Sequence, residues 1–301
     1  MKTLAITEKW IDRFRALDPF GILDLLGLPG SFALGATEKK DGYDVPAGLV
    51  VVSASEDQLV IEWMFTVPEF RGFGIGSELM MLVFEEAKAR GLSEVSARIS
   101  EEYLWDIEFW DPEAFFSNDI FMREESGISE WDTSMFKLSG ALLQNAKENE
   151  AAASDPQLFA LKDLSKKERA EAAEALKENY RTRIPEDFES FLSCADEELS
   201  FFLGRAEKCR AALLTGKSGE TRYPFFLASK DDKDTEKLAR AALYAAEDVC
   251  STHEKIRIRC ERPATEQLLK KLGLKADVYN IVTMTAEIKV YDEISERFQE
   301  E

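Results

Sequence analysis

The stretch Val67-Pro-Glu-Phe-Arg-Gly-Phe-Gly-Ile-Gly-Ser77 constrains this chain more than any other, because glycine spacing, a fixed cation and a strand-to-helix switch coincide in it. Upstream, Leu59-Val-Ile-Glu-Trp-Met-Phe-Thr-Val67 is rich in β-branched and aromatic residues and is stopped by Pro68, which predicts a buried strand. Downstream, Ile75, Leu79, Leu82, Val83 and Ala87 recur at helical spacing until Gly91, with Arg90 in the last turn, which predicts a helix over Gly74–Arg90. Between them, Gly72, Gly74 and Gly76 lack the Cβ atoms that would hold a ligand away, so backbone N–H groups at a helix N-terminus can point at an anion. Arg71 can add a bidentate charged clamp. Three glycines alone fit a plain helix-capping turn equally well. Two rival phosphate loops fail on spacing. A Walker loop ends in Gly-Lys-Ser/Thr, whereas Gly76 is followed by Ser77 and Glu78. A dinucleotide fingerprint needs G-x-G-x-x-G, whereas these glycines are spaced two and two.

With a V-P strand end before it, the stretch resembles the acyl-CoA signature of the GNAT N-acetyltransferases, R/Q-x-x-G-x-G/A, filled by Arg71, Gly74 and Gly76. The resemblance implies an α/β fold, a mixed α+β sheet, with acetyl-CoA (coenzyme A) as co-substrate. The cofactor contacts it implies are Phe65, Val67, Arg71, Gly72, Phe73, Gly74, Ile75, Gly76 and Ser77. In the family's mechanism an amine attacks the thioester directly, with no covalent enzyme intermediate. The amine must be neutral to attack, so a base helps, and Glu62 on the central strand is the candidate, acting through water. A salt-bridged carboxylate is the competing reading, since one residue of register moves the side chain to the other face. The oxyanion donor implied is a backbone N–H near Val67. The tyrosine that commonly protonates the leaving thiolate aligns with Phe116, which cannot donate. Tyr103 could substitute if the segment around it folds back, and a thiol with pKa of about 8.5 leaves tolerably as thiolate in any case.

The 301 residues, 45% of them hydrophobic, suffice for two domains with their own cores. In the first half, helices are expected at Glu8–Leu17 and Pro19–Leu26, and strands at Ser31–Thr37 and Pro46–Ala54 joined by an Asp41-Gly42 turn. The strand Glu94–Ile99 follows the glycine loop and its helix. A crossover through that helix makes it parallel to the central strand, and in GNAT enzymes these two strands splay apart around coenzyme A. Glu101–Asp111 inserts Tyr103, Leu104, Trp105, Phe109 and Trp110 before P-E-A-F-F-S-N-D-I-F, which resembles the family's A-x-x-F-Y-E-K-L-G-F. Trp131–Leu138 reads as a closing strand and Ala141–Pro156, helical or frayed and without core periodicity, as a linker.

The second half repeats this plan about 160 residues later. Helices are expected at Ser165–Tyr180, Pro185–Ala195 and Asp234–Cys250. Strands are expected at Glu198–Arg205, Cys209–Gly216, Arg222–Ala228, Lys255–Cys260 and Val278–Thr285. Pro263–Leu274 resembles the family's late helix. In place of the glycine loop stands A-S-K-D-D-K-D-T-E-K, whose Asp231, Asp232 and Asp234 would face any phosphate. The expectation is therefore two tandem GNAT-like acyl-CoA N-acyltransferase domains: 1–145 intact, 146–156 a linker, and 157–301 degenerate. The second would serve packing, homodimerisation or shaping of the acceptor site.

A net charge of −20 argues against nucleic acid as a partner. Residues 1–150 carry 13 basic and 28 acidic side chains, densest from Glu101 to Asp132, where Arg123 is the only cation. That run is either a solvated face or an acidic mouth that draws in a cationic amine. Cys194, Cys209, Cys250 and Cys260 have no C-x-x-C spacing, and His253 has no ligand pattern, so thiols rather than a metal site are expected. No apolar run approaches membrane-spanning length and the start lacks a signal-peptide segment, which points to the cytoplasm. Two functions fit: an N-acetyltransferase acting on a small cationic or peptidic primary amine, or a non-catalytic acyl-CoA-binding or regulatory protein.

Overall fold

The computed structural model describes every residue except 20, 28–29, 55–56, 102–114, 118–119, 181–187, 219–220, 261–262 and 293–301. The chain forms two compact units: Met1–Ser126 together with the C-terminal segment from Asn280, and Gly127–Tyr279.

In the first unit, strands β1 (Lys2–Ala5), β2 (Phe32–Lys40), β3 (Tyr43–Ala54) and β4 (Gln58–Thr66) pair antiparallel in sequence order. β5 (Glu94–Ser100) joins β4 in parallel, as the crossover through helix α2 (Ile75–Ala89) requires. The β2–β3 turn has positive φ at both central residues, 52° at Asp41 and 84° at Gly42, which is why an Asp-Gly pair closes it. Alternation along β3 sends Val50 and Val52 to α2 and Leu49 and Val51 to the other face, where Phe14, Leu17 and Leu23 cover them. Helix α1 (Glu8–Phe14) continues as a 3-10 turn over Arg15–Leu17. The second expected helix is a 3-10 turn, Ile22–Gly27. The Asp18 carboxylate opens that turn by accepting from the amides of Ile22 (2.8 Å) and Leu23 (2.7 Å). Helix α2 seats close on the sheet because position 48 is glycine: a Cβ there would lie 2.6 Å from Ile75 Cγ2.

The second unit begins within β6 (Met122–Ser134). After it come helices α3 (Met135–Gln144) and α4 (Ala146–Ala153), strand β7 (Leu158–Ala160), and helices α5 (Lys166–Asn179) and α6 (Phe188–Ser193). Strands β8 (Phe201–Leu203), β9 (Ala211–Ser218) and β10 (Thr221–Ala228) precede helix α7 (Asp232–Val249), strand β11 (Lys255–Cys260) and helix α8 (Pro263–Lys271). β10 and β11 are parallel, whereas β7, β8, β9 and β10 pair antiparallel in turn and β6 pairs antiparallel with β11. The second unit, whose corresponding loop lacks glycine, thus keeps the strand and helix order of the first.

Two sequence expectations are corrected. The closing strand expected at Trp131–Leu138 ends at Ser134, whose side chain caps α3, and its residues from Gly127 belong to the second unit. The last strand, β12 (Asp277–Glu287), pairs antiparallel with β5 in the first unit, from Ile281↔Ser100 to Glu287↔Glu94. Each unit is therefore closed by a strand from the other half of the sequence, and the division at 145 does not hold. Hydrophobic alternation specifies which face a strand buries but not which neighbour it pairs with. The expected linker takes the helical of its two readings and is also packed: in α4, Ala152 and Asn149 are buried, and the Asn149 amide oxygen accepts from Arg240 at 3.2 Å. No apolar periodicity marks α4, because small and amide side chains make its packed face.

The cysteines are thiols. Burial pushes Cys209 up to about 12 and Cys260 up to about 11. Alkylation of the native protein at pH 8 is expected to be at least about ten-fold slower at Cys209 and Cys260 than at the partly exposed Cys194. Mass mapping after timed quenching checks this, and equal rates at all three would contradict it. No helix among the described residues is long and apolar enough to cross a membrane.

Candidate active site

Between the end of β4 and the start of α2 the chain makes a 3-10 turn over Pro68–Phe70 and then the glycine loop. Gly72 and Gly74 have φ of 81° and 80°, a region side chains enter at a cost. A Cβ built at either meets nothing within 4 Å, so internal packing does not require these glycines. Backbone conformation and open approach do. Gly76 differs, since a Cβ there would lie 3.2 Å from the Phe115 ring. The loop is open to solvent, with Phe73 75% exposed at its tip. Among the described residues, the amides from Gly72 to Ser77 make no backbone hydrogen bond; the first to be satisfied is Glu78, which donates to Gly74 O at 2.9 Å. Helix geometry leaves such first-turn donors without partners, and the α2 dipole adds positive potential at the same point. The result is a seat for a diphosphate-like anion. Arg71 folds back beside it: its Nε donates to Thr66 O at 3.0 Å, and its guanidinium lies 5.7 Å from the Phe65 ring centre.

β4 and β5 part where the resemblance implied. Their parallel pairing runs from Gln58↔Glu94 to Ile61↔Ala97 and stops, although β4 continues to Thr66 and β5 to Ser100. At that point β4 carries a bulge: Ile61 faces Val52 and Trp63 faces Val51, which leaves Glu62 as the extra residue. Glu62 is 5% exposed, accepts from Ser53 Oγ at 2.7 Å, and lies 3.4 Å from the Arg98 guanidinium. It is thus both salt-bridged and at the mouth of the gap.

Strand pairing sorts the backbone donors near Val67. The Val67 amide is committed to Ala47 O at 2.9 Å. Since Val67 and Phe65 direct their backbone groups to β3, the intervening Thr66 directs its own away from β3. Its carbonyl is the one that Arg71 holds. The Thr66 amide therefore faces the gap side, a matter of strand parity that composition could not reveal. Phe116 is 3% exposed and packs edge-on against Phe115 and Phe121 at 5.2 Å, so the tyrosine-like position is filled by core. Tyr103 lies outside the described residues, as does most of the acidic, aromatic insertion.

The second lobe keeps a gap but not a cradle. β10 pairs with β11 only at Thr221↔Lys255 and Arg222↔Ile256. At the start of α7 the Asp231 carboxylate accepts from the Lys233 amide at 2.8 Å, and Asp234 is ion-paired to Arg210 at 2.9 Å. The protein's own carboxylates take the anion position there.

Residues 7–111 match the family model described as the acetyltransferase (GNAT) family, a segment that contains β4, the glycine loop, α2 and β5. That segment is similar to the GNAT acetyltransferases. The family model it matches is one of acetyltransferases, whose co-substrate is acetyl-CoA. No curated protein matches it. Among solved structures, the GCN5-related N-acetyltransferase from Sphaerobacter thermophilus is 13% identical with a TM-score of 0.56, over 95% of this chain and 96% of that one. A tandem GNAT protein from the clavulanic acid biosynthesis pathway is 12% identical with a TM-score of 0.58, over 95% and 98%. At these identities the likeness is one of fold, and it extends over both halves of this chain.

Proposed function

We propose that the first lobe holds the diphosphate of acetyl-CoA on the amides from Gly72 to Ser77 and passes the acetyl group to a primary amine, a small cationic or peptidic one, by direct attack on the thioester. The observation that carries this reading is the row of amides at the start of α2 that make no backbone hydrogen bond among the described residues, next to the parted ends of β4 and β5. Glu62 accepts the amine's proton through water, its carboxylate held by Ser53 and Arg98 at the edge of the gap. The Thr66 N–H stabilises the carbonyl oxygen as it gains charge. The thiolate leaves without help from Phe116. Tyr103 remains the sequence-based candidate for its proton.

Glu62→Gln keeps the shape and removes the base. It is expected to lower kcat by about 100-fold at neutral pH, with KM for acetyl-CoA unchanged. A kcat within about two-fold of wild type, in protein with an unaltered melting temperature, would remove Glu62 from this role. The buried Phe116 also leaves room for a non-catalytic, acyl-CoA-binding role. Free-thiol release from acetyl-CoA across polyamines, amino acids, aminoglycosides and peptides separates the two, since that role gives tight binding with no turnover on any amine.

A further inference from the structure

The sheet face turned away from α2 carries a polar group of side chains where β4 and β5 part. Val95, Ala97 and Ile99 face the α2 core, so alternation places Ser96, Arg98 and Ser100 on the opposite face. Glu62 and Ser53 join Arg98 there through the contacts already described. Thr283 on β12 lies directly across from Arg98 in the antiparallel register, hence on the same face. It is 8% exposed, and its Oγ1 has no hydrogen-bond partner among the described residues. A buried hydroxyl with no partner calls for an explanation, because such groups in native interiors are almost always satisfied.

The chemistry of the group supplies one. Arg98 offers only donors, and the Thr283 hydroxyl has one to give; next to them Glu62 offers only acceptors. The complementary ligand therefore carries an anion and an amine side by side, matching a guanidinium and a carboxylate 3.4 Å apart. An α-amino acid bears both groups on a single carbon. A plain amine or diamine would leave Arg98 and Thr283 without a new acceptor, and a long ω-amino acid would separate the charges. We infer that the acceptor is an α-amino acid, its carboxylate received by Arg98 and Thr283 and its amine by Glu62 at the mouth of the gap. This inference rests on the acetyl-transfer reading and narrows its acceptor.

The test is a rate comparison. Free-thiol release is measured for a panel of α-amino acids, each beside its carboxamide and its decarboxylated amine, with wild type, Arg98→Met, Arg98→Lys and Thr283→Val. At least one amino acid is expected to exceed its carboxamide in kcat/KM by about 100-fold, because a site built around hydrogen bonds rejects the analogue lacking them. Arg98→Met abolishes that preference by raising KM for the acid, with KM for acetyl-CoA unchanged. Arg98→Lys restores part of it, and Thr283→Val lowers it by about ten-fold. Amides or decarboxylated amines used as well as the acids would overturn the assignment, and so would turnover confined to other amines. A ratio unchanged in a folded Arg98→Met protein has the same force; should that variant fail to fold, Arg98→Lys and the wild-type panel decide. Calorimetry with acetyl-CoA on the same samples separates the two levels. Binding without amino-acid turnover overturns the acceptor alone, whereas no binding to wild type removes the underlying reading with it.

Discussion

A chain ending at Ala276 is expected to lose acetyl-CoA binding, although the glycine loop lies some two hundred residues earlier. The removed segment supplies β12, the strand that pairs with β5 in the first unit. Its Met284, Ala286 and Ile288 are buried in the core under α2, and Tyr291 stacks on Phe84 of α2 at 4.2 Å. Beyond the ladder, the Ile288 amide donates to Ser93 O at 2.9 Å, and Asn280 donates to Glu101 at 3.0 Å. Burial of each large apolar side chain contributes about 1.5–3 kcal/mol. Losing several, together with the strand ladder, removes roughly 5 kcal/mol or more from a domain whose whole stability is of the order of 5–15 kcal/mol. The face that carries α2 is the face that goes slack, so the seat at its N-terminus goes with it. Thermal melting followed by circular dichroism, together with calorimetry, measures both effects. Cooperative melting near the full-length temperature with acetyl-CoA affinity retained would show that the first unit does not depend on β12. Met284→Asp in the full chain is expected to act in the same direction.

Gly74→Asp is expected to weaken acetyl-CoA binding by at least about 100-fold while leaving the fold largely intact. A Cβ at Gly74 meets nothing within 4 Å in the protein, so the substitution introduces no internal clash. It does impose a side chain on a residue at φ 80°, a strain of about 1–2 kcal/mol. It also sets a carboxylate where a diphosphate would sit, repeating in the first lobe what Asp231 does in the second. Gly74→Ala introduces the strain without the charge and is expected to bind acetyl-CoA more tightly than Gly74→Asp. Equal affinity in wild type and Gly74→Asp would mean that the loop amides do not carry the anion.

The glycine loop was readable in the sequence because its signal is local: a β-branched run, a proline stop, glycines at alternate positions and a helical period lie within a few tens of residues. The Asp41-Gly42 hairpin and the strand Lys255–Cys260 were legible for the same reason. What escaped depended on partners far away in the chain. The exchange of β6 and β12 is invisible to periodicity, which specifies a strand's buried face and not its neighbour. Which of the amides near Val67 faces the gap follows from a single backbone bond to Ala47, and strand parity is set only once β3 is in register. Glu62 was singled out by residue type and position. Arg98 was not, since an arginine in an alternating strand reads as a solvent-facing residue until the bulge at Glu62 brings the two together. The packing of α4 hid behind a charged, alanine-rich sequence whose buried face uses Asn149 and Ala152.

The most direct measurement is a calorimetric titration of the intact chain with acetyl-CoA. The first lobe offers open amides at its helix N-terminus, whereas the second has Asp231 in that place. The account predicts a single saturable site per chain, absent in a folded Gly74→Asp protein. No heat with wild type, two equivalent sites per chain, or a stoichiometry that Gly74→Asp leaves unchanged would contradict it.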